Sequence, residues 1–131
     1  MNQKINEPQQ IMNLYNLLID SSKYDIPAIG KITISQKQGV YIIYGEEAVL
    51  HVGKTNGGKE GLDQRLLNHV RNQSSFSKLY MQPNKISLRG MAKFQFIEVE
   101  DARSRSLLEA LTAGLLCPMH IGLGTKKIIQ I

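Results

Sequence analysis

The spacing of apolar positions changes several times along this chain, and each change marks a boundary. From Glu7 to about Ser22, Ile11, Leu14, Leu17 and Leu18 recur near helical intervals and Pro8 falls in the first turn, which predicts an amphipathic helix. Pro27 and Gly30 break the chain, and Ile32 and Ile34 then alternate with polar neighbours as in a short strand. Gly39–Gly53 predicts a hairpin, with β-branched and aromatic residues in Val40–Tyr44 and Ala48–Val52 around a Gly45, Glu46, Glu47 turn. Asn56, Gly57 and Gly58 mark a loop, and Leu62, Leu66 and Val70 line a helix running to about Gln73. Ser74 to Gly90 is polar, basic and without a clear period, and reads as a long functional loop. Ala92–Val99 alternates through Ala92, Phe94, Phe96 and Ile97 as a third strand. A helix follows from about Asp101 to Leu116, ended by Pro118, and Lys127–Ile131 reads as a last short strand. The order predicts an α+β fold: a small antiparallel sheet of about three strands flanked by helices. All of it fits one domain, with an N-terminal extension over 1–38, a core over 39–120 and a terminal strand over 121–131.

Composition narrows the class. Hydrophobic residues at 42% and charged residues at 21% argue against disorder. No apolar run approaches the roughly 18 residues that span a bilayer, and no signal-peptide core opens the chain. Cys117 is the only cysteine, so no intrachain disulfide is available and a cytoplasmic location is expected; between Leu116 and Pro118 it reads as buried packing. The net charge of +5 is unevenly spread. Seven bases lie between Lys54 and Arg89 against two acids, Glu60 and Asp63, so the whole excess sits in that segment. A polyanionic partner fits such a distribution, because every phosphate contacted releases condensed counterions.

Candidate chemistry gathers at a few positions. With a three-residue turn, Tyr41 would face His51 across the hairpin, whereas a two-residue turn would put them on opposite faces. Arg65 and His69 are four apart and share one side of their helix, offering a fixed cation beside a proton-handling imidazole; a solvated helix face is the plain alternative. Glu109 lies among Leu107, Leu108 and Leu111, where a carboxylate is costly to bury without a cation. Ser106 to Glu109 also matches a capping box, which leaves both a metal ligand and a cap open. Phosphate-binding P-loop, HExxH, paired-cysteine zinc and GxSxG patterns are absent from the sequence.

Taken in order, these residues resemble the GIY-YIG nuclease family. Gly39, Val40 and Tyr41 stand where the family has its first triplet, and His51, Val52 and Gly53 stand where it has the second, continued by Lys54 and Thr55. Gly61–His69 is similar to the following helix with its arginine and later histidine, and Ser106–Ala110, running on to Pro118, to the helix that carries a metal-binding glutamate. The resemblance covers about Gly39 to His120. Two departures stand out: His51 replaces the second tyrosine, and His120 follows Pro118 where the family often has an asparagine.

The resemblance implies a divalent-metal-dependent endonuclease that hydrolyses phosphodiester bonds of duplex DNA. One Mg2+ ion, with Mn2+ able to substitute, would be held by Glu109, waters and phosphate oxygens. Arg65 would brace the scissile phosphate; Tyr41, His51 and His69 are the candidates for moving the proton; Lys54 and Arg71 would contact nucleic acid. Two alternatives stay open: a non-catalytic nucleic-acid-binding module on the same fold, and a structure-specific or RNA nuclease. Residues 1–38 and Ser74–Gly90 are where specificity or homodimer contacts would lie.

Overall fold

The computed structural model describes residues 6–121 and 124–125. Its elements follow the order α1 (Glu7–Asp20), β1 (Tyr24–Asp25), β2 (Gly39–Tyr44), β3 (Val49–Lys54), α2 (Leu62–Val70), a π-helical turn at Ser77–Met81, β4 (Lys93–Glu98), α3 (Ala102–Leu116), β5 (His120–Ile121) and β6 (Gly124–Thr125). This is an α+β fold. The sheet is larger than expected: six strands in the order β1-β4-β2-β3-β5-β6, of which β2, β3 and β4 are long and the others are two-residue additions at the edges. Nor is it wholly antiparallel, because β5 runs parallel to β3 through the pairing of His51 with His120. The strand expected over Lys127–Ile131 lies outside the described residues. Among the described residues, no helix is long and apolar enough to cross a membrane.

The central strand, β2, is buried on both faces, and the side-chain alternation of a strand divides the core in two. Val40, Ile42 and Val52 pack with Ile11 and Leu18 of α1 and Leu108 of α3. On the other face Tyr41 and Ile43 pack with Leu62 and Leu66 of α2 and with Phe76, Tyr80, Met81 and Leu88. α1 begins where Asn6 accepts a hydrogen bond from the Gln9 N–H (2.9 Å), with Pro8 in the first turn. Leu17 does not join its buried stripe and is 60% exposed. At about 100° per residue it lies roughly 120° round the helix from Ile11, outside the sector that faces the sheet.

Three local expectations are corrected. Ser74–Gly90 is not the irregular polar loop expected: Phe76, Tyr80, Met81 and Leu88 are core residues, and part of the segment winds as the π turn. Phe76 and Tyr80 are four apart, but Met81 follows Phe76 by five, a spacing the α-helix template does not detect. Residues 31–38 form no strand, although Ile32 is buried. Their backbone is spent on the start of α2 instead: Asp63 Oδ1 accepts from the Ile34 and Ser35 N–H groups (2.6 and 2.7 Å), while Ser35 and Lys37 carbonyls accept from the Asp63 and Leu62 N–H groups. A Cβ on Gly61 would come 2.0 Å from the Gln36 carbonyl oxygen, so this strap closes only over a glycine. Cys117 is exposed rather than packed, because it takes the left-handed conformation (φ 48°) that ends α3 and turns its side chain out.

Candidate active site

The hairpin sets two proton-handling groups on one face, in a register shifted from the expected one. Tyr41 pairs with Gly53 and His51 with Ile43, with a bulge before Tyr44, so the turn spans Gly45–Ala48. A shift of two residues preserves the face, and the Tyr41 and His51 rings remain neighbours, with centroids 6.2 Å apart. The register follows from a steric fit. The Tyr41 ring lies across Gly53, where a Cβ would meet its hydroxyl at 2.3 Å and its Cζ at 2.5 Å.

α2 packs on that same face and supplies Arg65 and His69. His69 is fully buried, and its Nε2 lies 2.5 Å from the Tyr41 hydroxyl. Its Nδ1 lies 2.7 Å from Ser74 Oγ. The donors can be assigned by elimination along this chain. Ser77 Oγ donates to the His69 carbonyl (2.8 Å), so it must accept from Ser74 Oγ (2.6 Å). Ser74 Oγ, its one proton spent, then accepts from His69 Nδ1–H. Nε2 is left with a lone pair, and the Tyr41 hydroxyl donates to it. A neutral phenol thus points its proton at a neutral imidazole of fixed tautomer. Ser74 and Ser77 had no motif to announce them in the sequence; only their position just beyond the end of α2 links them to His69.

The electrostatics keep this pair uncharged. Burial raises the Tyr41 phenol, partly offset by the positive charge of Arg65 nearby. Burial holds His69 well below the usual histidine range, helped by His51, Arg65 and His120. His51, stacked on Phe76 (centroids 4.4 Å apart), is pushed down to about 3, first by burial and then by His120. His120 is fully buried beside His51 (5.6 Å between centroids), and burial lowers it too; neither of its ring nitrogens has a partner among the described residues. His120 therefore joins this imidazole cluster rather than reaching solvent.

Glu109 arrives from α3. It is not a helix cap: Asp101 caps α3 by accepting from the Ser104 N–H (2.8 Å), which leaves Glu109 in the helix interior. The half-buried carboxylate is raised by burial, against the pull of Lys54 and Arg65, and it acts in turn on the Tyr41 phenol. Among the described residues it makes no hydrogen bond or ion pair. Its donor chemistry suits a hard cation that keeps most of its waters, Mg2+ or Mn2+, rather than zinc, which needs a fuller set of nitrogen or sulfur ligands. No group of three or more His, Cys, Asp or Glu among the described residues could hold an ion. Arg65 is half-buried beside a cavity of ≈ 40 Å³, and its Nε is buried with no partner. Lys54 is half-buried at the end of β3, close enough to act on Glu109. Arg71 is not part of this cluster; it is exposed beyond the end of α2 and lines a separate cavity.

No family model matches the chain, and no curated protein matches it. Its structure is similar to the GIY-YIG N-terminal endonuclease domain of UvrC from Thermotoga maritima bound to its catalytic divalent cation, magnesium. The identity is 18% and the TM-score 0.44, over 87% of this chain and 96% of that one. Two point-mutant forms of the same domain, bound to the catalytic divalent cation, are similar at the same identity and score, over 87% of this chain and 94% of theirs.

Proposed function

We propose that this chain is a divalent-metal-dependent endonuclease of the GIY-YIG type that hydrolyses phosphodiester bonds of duplex DNA in the cytoplasm. One observation carries the reading. Tyr41 of β2 has its hydroxyl 2.5 Å from His69 Nε2 of α2, and the charges of Arg65 on α2 and Glu109 on α3 both act on that phenol, so four residues far apart in sequence share one site. In this reading Arg65 binds the scissile phosphate through its unpartnered Nε–H, and Glu109 holds Mg2+ or Mn2+. Such an ion, when bound, would stabilise the charge of the transition state and lower the pKa of a water.

The chain's own residues handle the proton. For the Tyr41 oxygen to accept a proton from water, its own proton passes to His69 Nε2, which already receives its hydrogen bond. Burial opposes the resulting imidazolium, and a phosphodiester anion arriving beside Arg65 opposes it less, because a nearby negative charge favours the protonated ring. His69 is thus the terminal proton acceptor and Tyr41 the relay. His51, both buried and crowded by His120, shapes the pocket without taking the proton.

A second reading, binding without cleavage, draws on one fact: Tyr41 is fully buried, so its hydroxyl meets no solvent until the site opens. Plasmid nicking against magnesium concentration separates the two. The expected result is metal-dependent cleavage that Glu109→Gln abolishes while melting temperature and DNA affinity stay close to wild type. Undiminished cleavage by that variant removes Glu109 from the site; DNA binding with no cleavage by the wild type establishes the second reading.

A further inference from the structure

The strap at residues 31–36 does more than close the start of α2. Between it and α2 lies a cavity of ≈ 470 Å³ lined by Lys31, Lys59 and Arg71, with Thr33, Gln36 and Gln64 supplying neutral donors. The one acidic residue at its wall, Asp63, is committed to the Ile34 and Ser35 N–H groups. None of the three cations forms an ion pair with a described residue, so the cavity gathers three positive charges against the single carboxylate of Asp63, an excess that an anion from outside would balance. Cations converging on a concave polar surface are how proteins hold phosphate oxygens.

We propose that this cavity is a second phosphate site, which binds a backbone phosphodiester of the nucleic-acid strand at a distance from the one being cut. The inference rests on the nuclease reading for the identity of the ligand, though not for its chemistry. Gln64, Leu67 and Arg71 lie about 100–160° round α2 from Arg65, so the helix, about 10 Å across, stands between the two sites. A strand advancing about 3.4 Å per nucleotide would cover that separation in roughly three nucleotides. The strand would cross the Asn56–Gly61 loop, whose Asn56 and Gly57 border the Arg65 cavity and whose Lys59 and Gly61 border this one. The site would fix register rather than sequence, since phosphate contacts carry no base information.

The test compares two triple variants with the wild type, binding a short duplex without added metal over a range of salt. Lys31→Ala/Lys59→Ala/Arg71→Ala empties the cavity of charge. Lys23→Ala/Lys78→Ala/Lys93→Ala removes the same charge from outside it. The expected result is a loss of affinity of about tenfold or more for the cavity variant. The slope of log affinity against log salt should fall by about one, as when one phosphate is no longer neutralised by the protein. The control should weaken binding less than twofold. Equal weakening by both variants overturns the proposal, since general charge would then explain the effect. In parallel, inorganic phosphate is titrated and the backbone amides are followed by NMR. Saturable shifts at Thr33, Gln36 and Gln64, absent from the cavity variant, are expected; their absence in the wild type overturns the site. If the wild type binds phosphate there but no duplex, the nuclease reading fails and the anion site stands.

Discussion

Acidification should unfold this protein through its imidazoles well before its carboxylates. His51 is held neutral in the native state, with its pKa pushed down to about 3 against 6.5 for the free side chain. Between those values the unfolded chain binds the proton and the folded one does not, so stability falls as pH falls through 6.5 and continues to fall towards 3. For His51 alone the loss between pH 7.5 and pH 5 is about 2 kcal/mol, a large part of the roughly 5–15 kcal/mol available to a domain. His69 and His120 shift in the same direction and add to it. Glu109 works the other way: burial raises its carboxyl, and that penalty on the charged form is relieved in acid. Urea denaturation at pH 7.5, 6.5 and 5 measures the net effect, where 2 kcal/mol corresponds to a midpoint shift of about 1 M. His51→Phe supplies the control, since the new ring can stack on Phe76 as the imidazole does. It should be nearly as stable as wild type at pH 7.5 and should lose about 2 kcal/mol less on going to pH 5. If the variant is as acid-sensitive as the wild type, His51 is not the neutral buried base described above.

Three further outcomes follow from the same geometry. Tyr41→Phe leaves His69 Nε2 unpartnered in a dry site, so it should cost about 1–3 kcal/mol in a thermal or urea melt and lower the cleavage rate by about 100-fold or more. Gly53→Ala puts a Cβ 2.3 Å from the Tyr41 hydroxyl; the strain of about 1–3 kcal/mol should appear as lowered stability and, because the phenol must move off His69, as slower cleavage at unchanged DNA affinity. Ser74→Ala removes the acceptor that fixes the His69 tautomer, and should lower the plateau of the pH–rate profile while leaving the salt dependence of DNA binding alone.

The parts of the fold that were legible in the sequence are those governed by short-range periodicity. β2, β3 and β4, the helices α1, α2 and α3 and the shared face of Tyr41 and His51 all follow from alternation or from 3.6-residue spacing. What was not legible depends on partners far away in the chain. The hairpin register is decided by a ring that needs the space above Gly53, and turn length alone does not report that need. Strand pairing at 31–38 lost to the hydrogen-bonding demands of the α2 terminus, 28 and 29 residues away. β5 is only two residues long, and nothing local distinguishes a parallel partner for β3 from a loop. At the site, the motif string pointed to Tyr41, Arg65, His69 and Glu109, while Ser74 and Ser77 were hidden in a segment whose burial had no periodic sign.

The strap over α2 also bears on how this protein can be taken apart. The motif-bearing stretch starts at Gly39, and it is tempting to treat what precedes it as a detachable leader. Yet Asp63 finds its two donors at Ile34 and Ser35, the first N–H groups of α2 find their acceptors at Ser35 and Lys37, and Ile11 and Leu18 cover one face of the central strand. A transplant that began at Gly39 would carry every residue of the candidate chemistry into a new host. It would also arrive with the first N–H groups of the helix bearing Arg65 and His69 unpaired, and with one side of its sheet covered by α3 alone. The portable unit of this molecule is therefore longer than the signature by which it is recognised.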